Sequence, residues 1–213
     1  MRVLLGSHNP AKMEYFRSIL EGTDIEIVSL DDLHIFSEPE ENGNTPLENA
    51  IAKVRFYSVY SAKVLSADSG LYLSPLKAGD PRQPGVRPRR PQGRRLTDEE
   101  MIDYYSSLIH SLGGKISAYY QDGIALSNQG VISTFVTQFG PDKPFPFALV
   151  DVPCQDRKPG FPLDSLSINL NTGRYFTEKP TDEEDKASWV HQKESLEGLR
   201  KFILESFHGK ERK

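Results

Sequence analysis

Arg2-Val3-Leu4-Leu5-Gly6-Ser7-His8-Asn9-Pro10-Ala11-Lys12 decides the fold, because the hydrophobic period changes inside it. Arg2 to Gly6 is a short aliphatic run closed by glycine and reads as a strand. Met13, Phe16, Ile19 and Leu20 then recur at helical spacing. The junction is a strand, a turn and a helix. At such a turn the first backbone amides of the helix lack partners and carry the positive end of the helix dipole, so a phosphate is stabilised there. Ser7, Asn9 and Lys12 add side-chain donors. A plain helix cap formed by Ser7 or Asn9 uses the same residues.

Working outward, Ile25 to Val28 reads as a second strand, and Asp31 to Asn44 is acidic and turn-rich. Thr45, Pro46 and Glu48 supply the cap, first-turn proline and early acid of a helix over roughly Pro46 to Ser61. Its buried face is Leu47, Ala50, Ile51 and Val54. Lys63 to Ala67 reads as a buried strand delivering Asp68 at its carboxyl end, where open α/β sheets build ligand sites. Thr97-Asp98-Glu99-Glu100 starts another helix with Ile102, Tyr105, Leu108, Ile109 and Leu112 apolar, and Gly113-Gly114 ends it. Lys115 to Ser127 and Gly130 to Phe139 form an expected hairpin about Asn128-Gln129-Gly130, and Phe147 to Val152 is a further strand. Leu196, Leu199, Phe202 and Ile203 give a last helix its apolar stripe, before a frayed tail at Lys210 to Lys213. No internal repeat or low-complexity linker interrupts the chain, so one α/β domain over residues 1–213 is expected.

The 213 residues are 37% hydrophobic and 26% charged, ordinary for a globular chain with a substantial core or two joined lobes. No apolar run approaches the roughly 20 residues of a membrane span, and the N-terminal run is too short for a signal peptide. A cytoplasmic location is therefore expected, with no membrane partner. The single Cys154 excludes an internal disulfide framework. A net charge of −4 gives no reason to expect a nucleic-acid polymer as partner. Positive charge concentrates instead in a proline-rich stretch of about residues 80–95, at Arg82, Arg87, Arg89, Arg90, Arg94 and Arg95. That stretch reads as a solvated, mobile loop or as a flap offering guanidinium groups to phosphates.

Three polar clusters are candidates for chemistry: the turn at Ser7 to Lys12, Asp68-Ser69-Gly70-Leu71, and Lys186 with His191 and Gln192 just before the last helix. A carboxylate at a sheet edge binds Mg²⁺ or orients water for attack on phosphorus, although Asp-Ser-Gly is also ordinary turn chemistry. Glu38, Glu40 and Glu41 supply further hard oxygen ligands. A lysine binds phosphate as a point charge, and a histidine bonds a base edge or phosphate oxygen. Distant in sequence, the clusters make sense together as one anion-binding, metal-assisted site.

Together these residues resemble the inosine/xanthosine triphosphate pyrophosphatase family. Ser7-His8-Asn9-Pro10-Ala11-Lys12 is similar to its Ser/Thr-x-Asn-x-x-Lys phosphate turn. Glu40-Glu41-Asn42-Gly43-Asn44-Thr45-Pro46-Leu47-Glu48-Asn49-Ala50 with Lys53 resembles its Glu-Glu-Thr-Gly-x-Thr-Phe-x-Glu-Asn-Ala-x-x-Lys block, and Asp68-Ser69-Gly70-Leu71 matches its Asp-Ser-Gly-Leu signature. The resemblance implies an elongated α/β fold with a central mixed sheet flanked by helices, two lobes and a cleft. It implies hydrolysis of ITP, dITP and XTP to monophosphate and pyrophosphate by a homodimer. It also implies Mg²⁺ on Glu40 and Asp68, with Asp68 activating the water. Substrate contacts are implied for Ser7, His8, Asn9, Lys12, Lys53, Ser69, Phe161, Asp164, Lys186, His191 and Gln192.

The chain departs from that pattern where the base is read. Gly160-Phe161-Pro162-Leu163-Asp164-Ser165 stands for Gly-Phe-Gly-Tyr-Asp-Pro, and Gln192 replaces the arginine of Ser-His-Arg. Gln83-Pro84-Gly85-Val86-Arg87-Pro88-Arg89-Arg90 rebuilds the stretch Gly-x-Pro-Gly-Val-Tyr-Ser-Ala-Arg. The metal and phosphate half is kept while the base-reading half is altered, so hydrolysis is expected and base choice is open. Two other readings remain: a nucleotide-binding protein with weakened catalysis, and the same chemistry on a different modified or pyrimidine nucleotide.

Overall fold

A computed structural model describes residues 1–74, 76, 77, 79–138, 147–178 and 183–209, with the side chains of 92, 138 and 183–195 set aside. The strands are β1 (Arg2–Leu5), β2 (Glu26–Val28), β3 (Lys63–Leu73), β4 (Lys115–Asn128), β5 (Val131–Gln138), β6 (Phe147–Val150) and β7 (Ser167–Asn169). The helices are α1 (Pro10–Ile19), α2 (Pro46–Tyr57), α3 (Asp98–Ser111) and α4 (Glu183–His208). Among the described residues the strands form one open sheet in the order β2-β1-β3-β4-β6-β7, with β5 also on β4. It is mixed: β1 pairs in parallel with β2 and β3, while β6 runs antiparallel to β4 and β7. No helix of the described residues is long and apolar enough to cross a membrane.

The chain divides into two compact units, the first comprising residues 1–69, 122–137 and 194–213, the second 70–121 and 138–193. In the first unit the period-2 alternation of the strands separates two cores. Val3, Leu5, Leu65, Ala67, Ile124 and Leu126 pack with Phe16 and Ile19 of α1 and with Leu199, Ile203 and Phe207 of α4. Leu4, Val64 and Ala125, on the opposite face, pack with Ala50, Val54 and Tyr57 of α2. In the second unit Leu71, Leu73, Ile116, Phe147 and Leu149 pack against Met101, Ile102, Tyr105 and Ile109 of α3. The start of α3 is the expected capping box, Thr97 and Glu100 each bonding the other's backbone amide.

Several elements differ from the sequence reading. The helix expected over Pro46 to Ser61 ends at Tyr57, because Ser58 caps it and returns its hydroxyl to the Val54 carbonyl. The strand expected to stop at Ala67 continues to Leu73, so Asp68 lies within β3 rather than at its end, and Asp68-Ser69-Gly70 is not a turn. α4 begins at Glu183, so Lys186, His191 and Gln192 lie inside the last helix rather than before it, and their side chains fall outside the described residues. β6 ends at Val150, two residues short of the expected boundary. Phe139, Asp182 and the tail from Lys210 to Lys213 are outside the described residues.

The arginine-rich stretch is tied down rather than merely solvated. Gly85 bridges Leu71, and the Gln83 side chain bonds the Leu73 amide at 2.7 Å and the Leu73 and Leu76 carbonyls at 3.0 Å. Arg82 pairs with Asp80, Arg89 with Asp98 and Arg94 with Glu100, each at 2.7 Å. The hairpin forms as expected, with Gln129 and Gly130 both at positive φ, as a two-residue primed turn requires.

Candidate functional site

Asp68 is the centre of a cluster wholly within the first unit. Alternation along β3 points it to the α2 face, where Asn49 Nδ2 donates to Oδ2 at 2.9 Å and Lys53 Nζ to Oδ1 at 3.1 Å. Asn49 and Lys53 are four residues apart on α2, one helical turn, so both reach the same carboxylate. The Asn49 amide is oriented by its second bond: Oδ1 accepts the Gly43 N–H at 2.8 Å, leaving Nδ2 for Asp68. This couples the acidic loop to α2 and to β3. Any side chain at Gly43 would meet Asn49 Oδ1 at 2.6 Å.

Lys53 bridges Asp68 and Glu41, whose Oε1 lies 2.6 Å from Nζ. Burial alone would lower the Lys53 pKa, but the two carboxylates outweigh it and the net shift is upward. Glu40 is exposed and accepts instead from Asn42 Nδ2 at 2.8 Å. Glu41 is therefore the glutamate that the structure brings to Asp68 through Lys53.

α2 can approach β4 this closely because Gly123 lies beneath its first turn; a Cβ there would lie 2.2 Å from the Leu47 nitrogen. Gly6 plays a similar part at the end of β1, where a Cβ would meet Ser66 Oγ at 2.3 Å and the Tyr57 ring at 2.5 Å.

In the turn after β1, Asn9 is the helix cap, its Oδ1 accepting the Ala11 amide at 2.9 Å. Ser7 Oγ accepts the Asn9 amide at 3.2 Å. His8 Nδ1 stands 3.5 Å from Asp31 Oδ1, while its buried Nε2 finds no partner among the described residues. Lys12, one turn into α1, reaches across to the Ala67 carbonyl at 3.0 Å, beside Asp68. Its pKa is lowered, first by burial and then by the Lys53 ammonium, against the pull of Asp68, Asp122 and Glu41.

Asp122 was not legible as a site residue. It belongs to β4 and accepts hydrogen bonds from Ser69 and from Thr137 Oγ1, the latter at 3.1 Å. Burial raises its pKa, opposed by those hydroxyls and by Lys12. An aspartate followed by glycine in the middle of a β-rich segment was the available signal. Asn49, quoted above only as part of a motif, was likewise missed.

Within the second unit, Phe161 and Asp164 share Lys158, which lies 4.8 Å over the Phe161 ring centroid and 3.3 Å from Asp164 Oδ2. Burial raises the Asp164 pKa and Lys158 opposes the rise. The Gly160 amide donates to Asp98 Oδ2 at 2.9 Å, anchoring the loop that carries Phe161 to the start of α3.

Among the described residues no three His, Cys, Asp or Glu side chains gather to hold a metal on their own. Asp68 and Glu41, held on one ammonium, are a pair of hard carboxylates. That suits Mg²⁺, which is commonly held by one or two carboxylates together with water and substrate phosphates rather than in an all-protein cage.

Residues 3–139 match the model of the Ham1 family. The chain is 29% identical to a dITP/XTP pyrophosphatase of Thermoanaerobacter sp. (strain X514), covering 99% of this chain and 100% of that one. It is 26% identical to the protein of the same name from Bacillus subtilis (strain 168), over 94% and 96%. Among solved structures, a HAM1 protein from Coxiella burnetii superposes with a TM-score of 0.69 at 24% identity, covering 96% of this chain and 99% of that chain. The Staphylococcus aureus Ham1 protein gives 0.67 at 21%, over 95% and 98%. The mixed open sheet is thus shared with both structures, and the match to the family model spans more than half of the sequence: the chain belongs to the Ham1 family.

Proposed function

We propose that this protein is a nucleoside triphosphate pyrophosphatase, hydrolysing abnormal purine nucleotides such as ITP, dITP and XTP to the monophosphate and pyrophosphate. The observation that carries the reading is the Asp68 carboxylate, held by Asn49 and Lys53 and flanked by Lys12 at the end of the β1–α1 turn. Near full-length similarity to proteins named dITP/XTP pyrophosphatase supports the substrate class.

In this reading the amides and donors of Ser7 to Lys12 bind the phosphate tail, and Lys12 and Lys53 neutralise it. Asp68 accepts a proton from water as the water oxygen bonds the α-phosphorus; the bond to the α,β-bridging oxygen breaks and pyrophosphate leaves with that oxygen. Asp68 and Glu41 would hold Mg²⁺, with Glu40, the ligand implied by resemblance, one residue away. When bound, the ion supplies charge neutralisation on the phosphates. Phe161 and Asp164, with Lys186, His191 and Gln192, are proposed for the base. The same resemblance carries a homodimer, testable by sedimentation, and the sequence's lack of a membrane-length apolar run or signal peptide carries the proposed cytoplasmic location, testable by cell fractionation.

The test is a panel of natural and deaminated triphosphates assayed for pyrophosphate release with and without Mg²⁺. Release from ITP, dITP and XTP, dependent on Mg²⁺ and much faster than from ATP or GTP, is the expected result. Binding of these nucleotides by calorimetry with no product would support instead a nucleotide-binding protein without catalysis. Preference for another nucleotide would implicate the altered positions Leu163 and Gln192 in substrate choice.

A further inference from the structure

Asp122, on β4, has no part in the reaction just described, yet it lies on the other face of the sheet from Asp68 of β3. Ile124 and Leu126 of β4 face the α1 core, and Asp122, two residues earlier on the strand, shares their face. Ser69, two residues beyond Ala67, lies on that face also, and Thr137 of β5 completes it by donating at 3.1 Å. Asp68 faces α2 on the opposite side. Lys12 is bonded to the Ala67 carbonyl at 3.0 Å, and the charges of both Asp68 and Asp122 favour its ammonium form against burial.

We propose that Asp122 is a positioning residue for Lys12: its carboxylate, fixed by Ser69 and Thr137, balances the pull of Asp68 and holds the ammonium at the phosphate turn, so that no second ammonium joins Lys53 on Asp68. This rests on the reading of Asp68 and Lys12 given above. The arrangement has a physical reason. An ammonium has three donors and a carbonyl engages one, so Lys12 poised on Ala67 keeps donors for a phosphate oxygen. Without a counter-charge on the α1 face, the attraction that remains is toward Asp68 and Glu41, and the lysine moves onto the carboxylate that the metal needs. Two hydroxyls donating to Asp122 match an ionised, acceptor-only group.

The test is a double-mutant cycle of Asp122→Asn and Lys12→Met on the full chain. Calorimetry measures binding of Mg²⁺ alone and of inorganic pyrophosphate with Mg²⁺. Asparagine keeps the size and an acceptor for Ser69, and the Thr137 hydroxyl can turn to accept. Asp122→Asn should weaken both ligands roughly tenfold, within the range of couplings between neighbouring charged residues. In the Lys12→Met background it should change each by less than about twofold. A simple loss of negative field would weaken Mg²⁺ but tighten pyrophosphate, and that result overturns the proposal. So does an unchanged affinity, or an equal loss in both backgrounds, which marks a structural role only. Should Asp122→Asn not fold, Thr137→Val enters the same cycle, with a smaller loss of about threefold expected in the Lys12 background alone. Pyrophosphate release by the unaltered protein is measured alongside. Its absence with the binding pattern intact counts against the enzyme reading; turnover with unaltered binding in Asp122→Asn counts against this inference.

Discussion

Replacing Gly123 by alanine tests whether the approach of α2 to β4 sets the geometry at Asp68. The new Cβ would lie 2.2 Å from the Leu47 nitrogen, 2.4 Å from its Cα and 2.5 Å from the Pro46 carbonyl carbon, all backbone atoms that cannot rotate away. Ordinary contact begins at 3.4 Å, so the first turn of α2 must retreat by about 1.2 Å, the difference between the two distances. Asn49 and Lys53 ride on that helix at 2.9 and 3.1 Å from Asp68, and a retreat on that scale breaks both bonds. Overpacking of this kind costs about 1–3 kcal/mol, or roughly 2–12 °C in Tm for a chain of this size. A misplacement of about 1 Å near the chemistry costs on the order of 100-fold in rate. Differential scanning calorimetry and a pyrophosphate-release assay measure the two effects. Gly198→Ala in α4 is the control: nothing lies within 4 Å of its Cβ, and the change should stabilise by about 0.5–1 kcal/mol without loss of activity. A Gly123→Ala protein with unaltered Tm and turnover would refute the reasoning.

Glu41→Gln should raise the Mg²⁺ concentration needed for half-maximal activity by about tenfold, and Glu40→Gln by less than about twofold, because Glu41 shares Lys53 with Asp68 and Glu40 does not; a Mg²⁺ titration of turnover reads both. In the second unit, burial would raise the Asp98 pKa, but the Gly160 amide and the Arg89 guanidinium outweigh it and the net shift is downward. A carboxyl depressed in the folded state stabilises above its unfolded pKa and loses that contribution as pH falls through the folded value. Asp98→Asn should therefore lower Tm at pH 7, with the gap to the parent protein closing below about pH 4; a gap that stays constant to pH 2 would contradict the pairing.

Much of the fold was legible wherever local and tertiary preferences agree. The change of period across Gly6, the proline and threonine at the start of α2, the Thr97 capping box and the Gln129-Gly130 turn all appear as read. What escaped was set by pairing between distant segments. Asp68-Ser69-Gly70 is polar enough for a turn, yet its place in the sheet carries β3 through to Leu73. β7, only three residues long, exists because Ser167 and Ile168 pair with Leu149 and Ala148. The acidic beginning of α4 resembles a loop because it has no apolar stripe. At the site, the motifs marked Lys12, Lys53 and Asp68, but not Asn49 as the residue that orients Asp68, nor Glu41 as the glutamate on Lys53. Asp122 enters only through the folded sheet, where its carboxylate on β4 accepts from Ser69 of β3.

The central claim is that the Asp68 carboxylate performs the hydrolysis, and Asp68→Asn measures it most directly, since the amide keeps the shape while losing the charge and the proton acceptor. With dITP and Mg²⁺, the account predicts no detectable pyrophosphate release while calorimetry still records nucleotide binding. Release at the parent rate by the asparagine variant would contradict it.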